Sequence, residues 1–170
     1  MSDAARRTLK AKPLTAAAFS RFGDVIDADA AKQSFKINQD YTTRFHDLAK
    51  IDVTDEGGDV CVSIFRSTPL EAPVIIRLME RHPLGSQAFV PLGAHPYLVV
   101  VAPPGPFAVD DVDAFLAKPG QGVNYAKGVW HHFLLAQESQ SDFLVIDRAG
   151  PGDNLDEVHL AEDQQFIIGV

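Results

Sequence analysis

Val74-Ile-Ile-Arg-Leu-Met-Glu-Arg-His82 alternates with a period of two. Successive side chains of a strand leave opposite faces. Val74, Ile76, Leu78, Glu80 and His82 therefore point one way, and Ile75, Arg77, Met79 and Arg81 the other. The first set is the more apolar and is expected to face a core. It ends in a carboxylate and an imidazole. Burying a carboxylate is costly unless it is paired, hydrogen-bonded or bound to a cation. Glu80 and His82 thus mark a polar site at the end of a buried strand face.

Working outward, turns and short apolar runs take over. Pro83-Leu-Gly-Ser86 is a turn, and Gln87–Leu92 and Tyr97–Ala102 read as the next strands. Upstream, Val60, Val62, Ile64 and Arg66 share one face of a strand. Downstream, Val123–Tyr125, Val129–Ala136 and Asp142–Arg148 read as strands, while Asp110–Lys118 fits a short helix or a strand. The eleven prolines and twelve glycines are spread between these segments as punctuation. The one clear helix is near the start: Thr15 caps it, Ala16-Ala17-Ala18 favours it, Phe19 and Phe22 share a face, and Gly23 ends it. The expectation is a mainly all-β chain, an antiparallel barrel or sandwich forming one domain over residues 1–170. Early strands should pair with late ones to close its edges.

Composition narrows the function. Fifteen Lys and Arg against 23 Asp and Glu give a net charge of −8, which argues against sequence-independent nucleic-acid binding. Cys61 is the only cysteine, which excludes an intrachain disulfide or a thiolate metal cage and fits a reducing, cytoplasmic setting. The N-terminal stretch lacks the apolar segment of a secretory signal. Apolar runs such as Tyr97–Ala102 fall far short of the ~20 residues that span a bilayer. A small anionic molecule remains compatible with these limits, because a cation within a pocket outweighs a distant negative surface.

Two His-bearing segments carry the chemistry: Glu80-x-His82-x4-Gln87-x5-Gly93, and Gly122-x5-Gly128-x-x-His131. Their spacing resembles the paired signatures of the cupin superfamily. The resemblance implies a cupin-like double-stranded β-barrel and places Glu80, His82, Gln87 and His131 where cupins hold a metal. Glu80 stands in place of a His, and Gln87 in place of a carboxylate. Two imidazoles, a carboxylate and an amide oxygen still suit a divalent transition ion. His131, rather than its neighbour His132, is expected to point inward.

Longer blocks sharpen the resemblance. Glu80–Leu92, Gly122-Val-Asn-Tyr125, Val129-Trp-His-His132 and Asp142–Arg148 are similar, in order, to segments of the ureidoglycolate lyase family, as are Ile37-Asn-Gln39 and Thr43–Leu48. The similarity runs from about Leu14 to Leu155. It implies a homodimer that eliminates urea from (S)-ureidoglycolate to leave glyoxylate, in allantoin (purine) degradation, with nickel as the associated divalent metal. Such an elimination needs a base for the hydroxyl, a proton for the departing nitrogen and a site for the carboxylate. Glu80 and His82 are candidates for the base, the carboxylate because burial should raise its pKa, the imidazole because it titrates near neutrality. His131 completes the catalytic set. Arg66 is a candidate clamp for the substrate carboxylate, with Arg44 and Arg148 as alternatives, although Arg148 beside Asp147 also reads as a structural ion pair. Gln87 and Tyr125 are placed to hydrogen-bond the ureido group. Two other readings fit the same pattern: a metal-dependent cupin oxygenase or isomerase, and a non-catalytic cupin that binds a small anion.

Overall fold

The computed structural model describes residues 6–170. Residues 1–5, where the N-terminal stretch read for a leader begins, lie outside it. In chain order the elements are β1 (Arg7–Lys10), β2 (Lys12–Pro13), α1 (Ala16–Phe19), β3 (Gly23–Ile26), β4 (Gln33–Ile37), β5 (Thr42–His46), β6 (Asp59–Ser67), β7 (Ile75–Ile76) and β8 (Leu78–Arg81). There follow β9 (Gln87–Pro91), β10 (Tyr97–Ala102), β11 (Asp113–Ala117), β12 (Gly122–Tyr125), β13 (Trp130–His131), β14 (Leu135–Ala136), β15 (Ser141–Ala149), β16 (Asp156–His159) and β17 (Phe166–Gly169). The ambiguous 110–118 segment resolves into a 3-10 turn, Val109–Asp111, followed by β11. No helix among the described residues is long and apolar enough to cross a membrane.

Two sheets face each other in the all-β, cupin-like arrangement. One has the order β16-β8-β13-β10-β11-β2, with β14 also on β10; the other runs β3-β12-β9-β15-β6. Tyr97, Val99, Val101 and Phe115 of the first pack against Val25, Phe89, Val123, Phe143 and Val145 of the second, filling the hollow. A third sheet, β1-β17-β7, covers the back of the first. There Ile76, Phe166 and Ile168 bury Met79, Leu98, Val100 and Trp130. Strand β10 is therefore buried on both faces, which is why Tyr97–Ala102 has no polar alternation. Early strands do pair with late ones: β1 with β17, and β3 with β12.

Helix α1 is a single turn, capped as expected by Thr15, whose Oγ1 accepts from the Ala18 amide at 3.1 Å, but it ends at Phe19, short of the expected stop at Gly23. A helix this short is held by packing rather than propensity. Phe19 and Phe22 supply that packing, both fully buried beside Phe115. Gly23 then turns the chain at φ +143°, where an added Cβ would collide with the Asn124 carbonyl. That close approach lets β3 begin immediately and pair with β12.

The decisive 74–82 stretch is two strands, not one. Arg77 interrupts it between β7 and β8, and each piece joins a different sheet. Ile76 and Met79 both enter the rear core, so Ile76 does not share a face with Glu80 as the unbroken alternation implies. Glu80 nonetheless faces the hollow, and pairing register shows why. His131 lies opposite Val101 on β10 and opposite Glu80 on β8. Directly opposed residues share a face, and Val101 belongs to the inner core.

The Val60, Val62, Ile64, Arg66 face looks outward. Their neighbours Cys61, Ser63 and Phe65 lie opposite Asp147, Val145 and Phe143, the inward set of β15. Strand β6 is an edge of its sheet, and Val62 is 63 % exposed on it.

Candidate active site

β8 and β13 bring Glu80 and His131 face to face, and the turn after β8 sets His82 beside them. Ligating atoms of Glu80, His82 and His131 all lie within 4.8 Å of one another. The His82 and His131 rings sit 5.2 Å apart. Tyr125 stacks flat on His131, centroids 4.3 Å apart and planes at 11°. Gln87, at the start of β9, puts its Oε1 3.2 Å from His82 Nε2. All five residues meet at the end of the inner core, in the expected constellation.

Each imidazole is oriented by a backbone carbonyl. His82 Nδ1 donates to the Asn154 carbonyl at 2.7 Å, and Asn154 is itself fixed because its Oδ1 accepts from the Leu84 amide at 2.8 Å. His131 Nδ1 donates to the Val129 carbonyl at 3.1 Å. The other nitrogen of His131, Nε2, is buried without a hydrogen-bond partner and points at Glu80 Oε1, 3.6 Å away. That separation is too long for a hydrogen bond, so the contact is electrostatic.

The titration directions fit this picture and correct one expectation. The Glu80 carboxyl lies below its usual range, because His131 beside it, aided by His82 and His132, outweighs the opposing effect of burial. It is not raised, as burial alone would have it. Burial pushes His131 down, against the pull of Glu80. Burial of Tyr125, reinforced by Glu80, pushes its phenol up and keeps it protonated. When the ring is neutral with its proton on Nδ1, His131 Nε2 turns a lone pair toward the Glu80 carboxylate. Two electron-pair donors that face each other at this range can share a cation. The donor set of imidazole nitrogens and carboxylate and amide oxygens suits a divalent transition ion.

Other candidates lie elsewhere. Arg66 does not reach the cluster: its guanidinium grips Asp142 through two hydrogen bonds, of 2.8 and 2.9 Å, on the outward face of the sheet. Arg44 is exposed on β5, over the Phe35 ring. Arg148 is buried, but donates to the carbonyls of Asp55 and Pro151, not to Asp147. Adjacent strand residues point to opposite faces, so an Asp147–Arg148 pair could not form. His132 is buried along with His131, because β13 ends at His131 and the alternation stops there.

Sequence reasoning missed Asp147 and Asn154. Gln87 Nε2 donates to Asp147 Oδ2 at 3.1 Å, and Asn154 anchors His82. The inward parity of β15 was available as a signal for Asp147; the turn carbonyl of Asn154 had none.

The family model for ureidoglycolate lyase matches residues 6–167. The chain belongs to the ureidoglycolate lyase family. Over 156 residues it is 56% identical to a ureidoglycolate lyase of Burkholderia mallei (strain NCTC 10229), covering 92% of this chain and 91% of that one. Over 163 residues it is 50% identical to the ureidoglycolate lyase of Pseudomonas aeruginosa (strain LESB58), covering 95% and 96%. The corresponding protein of Pseudomonas entomophila (strain L48) is 49% identical, with 95% and 97% covered. The family match thus spans both the inner core and every member of the Glu80 cluster.

Proposed function

We propose that the chain, acting as one domain over residues 1–170, cleaves ureidoglycolate to glyoxylate and urea. The observation that carries this reading is the convergence of Glu80, His82 and His131 in the hollow of a chain belonging to this family. Glu80, held ionised, accepts the hydroxyl proton of the substrate. The O–H electron pair becomes the second bond of the aldehyde carbonyl, the C–N bond breaks, and the departing nitrogen takes the proton that Glu80 has accepted. The Gln87 oxygen accepts from the ureido N–H groups, and the Tyr125 phenol packs beside His131 at the wall of the site.

The substrate carboxylate needs positive charge; of the cations nearest along the chain, Arg77 is exposed at the break between β7 and β8, and the others are engaged. Arg81 holds Asp156 and the Gly105 carbonyl, Lys127 holds Asp52 and Asp55, and Arg148 holds two carbonyls. This favours a divalent ion on Glu80, His82, Gln87 and His131, nickel being the one the family resemblance implies. Bound there, the ion would orient the substrate's hydroxyl and carboxylate oxygens and lower the hydroxyl pKa. Incubation with ureidoglycolate is expected to release equimolar urea and glyoxylate, and chelation is expected to slow that release until a divalent metal is restored. Release of ammonia and carbon dioxide would overturn the elimination. Full activity in chelator would remove the metal.

The outward face of β6 supports a homodimer, in a reducing cytoplasmic setting that the single, unpaired Cys61 suits. Val60, Val62 and Ile64 form a solvent-facing apolar stripe on a nine-residue edge strand, and the β4–β5 hairpin exposes Phe35, Tyr41 and Phe45. A long apolar edge left open invites association, and a second copy of the chain covers it with closed two-fold symmetry. Val62→Glu is expected to shift the sedimentation coefficient from dimer to monomer; a monomeric parent protein would refute the pairing.

A further inference from the structure

Gln87 is buried and its amide bridges two unlike neighbours, His82 Nε2 at 3.2 Å and Asp147 Oδ2 at 3.1 Å. An amide offers donors at one end and an acceptor at the other, and rotation by half a turn exchanges them. A carboxylate only accepts. Asp147 therefore selects one of the two orientations: the NH2 group faces Asp147, and the oxygen faces His82 and the site. In the reversed orientation two oxygens would abut, with the amide donors turned inward.

That choice decides the chemistry of this corner of the site. An inward oxygen accepts N–H hydrogen bonds from a ureido group and can ligate an ion. An inward NH2 can do neither. Asp147 comes from β15, in the sheet opposite Glu80 and His131, where it lies across from Cys61 on the inward face. The ladder of that sheet, rather than the site itself, holds it in place. His82 thereby faces an acceptor oxygen at each ring nitrogen, the Asn154 carbonyl at Nδ1 and the oriented amide at Nε2.

We propose that Asp147 is a positioning residue that acts through Gln87, turning the amide oxygen toward His82 and toward the N–H groups of the substrate. This rests on the assignment of the Glu80 cluster as the reaction site. Asp147→Asn removes the constraint, because its side chain offers both a donor and an acceptor. The expected result is a fall in kcat on the order of tenfold, the lower end of what loss of an orienting partner causes, with an unchanged unfolding midpoint. Gln87→Glu sets two carboxylates against each other and is expected to lose more. Combining the two gives the discriminating result. In Gln87→Glu/Asp147→Asn, the new asparagine amide donates to the new glutamate, leaving a carboxylate oxygen inward, and activity is expected to rise above that of Gln87→Glu alone. A merely structural role would make the two losses add.

Wild-type kcat in Asp147→Asn, or a double variant no better than Gln87→Glu, would overturn the inference. If Asp147→Asn fails to fold, the comparison of the double variant with Gln87→Glu decides alone. Glu80→Gln assayed alongside separates the two levels. Full activity there removes the reaction site itself, whereas inactivity there with full activity in Asp147→Asn removes only the role of Asp147.

Discussion

Glu80→Gln is expected to lower kcat/KM for urea release by about 10³-fold, within the range general acid–base groups contribute. The substitution keeps the shape and the cross-strand place opposite His131 but removes the negative charge and the proton-accepting oxygens. Glu80 is the only carboxylate in the cluster of ligating atoms around His82 and His131. Asp147 lies beyond Gln87, with the amide between it and His82. No other acidic side chain of the cluster can therefore take the hydroxyl proton in its place. A neutral amide is also a weaker ligand for a divalent ion, so the variant should retain less metal after gel filtration. Glu80 is half-buried and its side chain makes no hydrogen bond, its approach to His131 being 3.6 Å, so the unfolding midpoint should fall only by what its ionised carboxylate contributes. Steady-state kinetics with product identification tests this, and a loss of less than about tenfold would mean that another group serves as the base.

The site was more legible in the sequence than the reasons for it. Parity placed Glu80 inward, and it is inward, yet the supporting inference from Ile76 fails because the strand breaks at Arg77 and Ile76 joins another sheet, while both faces of the β8 sheet are buried. An apolar neighbour marks a face only where the opposite face is wet. Strand β6 shows the converse. Its apolar alternation was genuine, but it lies on an exposed face, and only the pairing with β15 reveals that Arg66 points away from the hollow. His131 was legible from its distance after a glycine turn, whereas the burial of His132 depends on where β13 stops. Asp147 was hidden by its neighbour, since Asp-Arg in sequence suggests an ion pair that strand geometry forbids. What remained out of reach was long-range in every case: which carbonyl meets which imidazole, and which sheet supplies the partner for Gln87.

Acid should unfold the metal-free protein over a predictable window, and the imidazoles set its sign. Burial pushes His132 down from 6.5 to about 4. Between those values the unfolded chain binds a proton that the folded chain does not, so stability is complete above pH 6.5 and is lost as pH falls toward 4. At about 1.4 kcal/mol per pH unit, this residue alone removes about 3 kcal/mol by pH 4, a large share of the ~5–15 kcal/mol that holds a typical domain together. The contributions of His131 and Glu80 have the same sign. His131 is also held below its ordinary value, so its protonation likewise favours the unfolded chain. The lowered Glu80 carboxyl withdraws its own stabilisation as pH falls through its folded value. Urea midpoints measured in chelator at pH 7, 5.5 and 4.5 and constant ionic strength should therefore fall steeply below pH 6.5. His132→Gln removes one proton-binding difference and should flatten the curve by about 1.4 kcal/mol per pH unit across that window. A parent protein equally stable at pH 7 and 4.5 would show that these rings are solvated rather than buried.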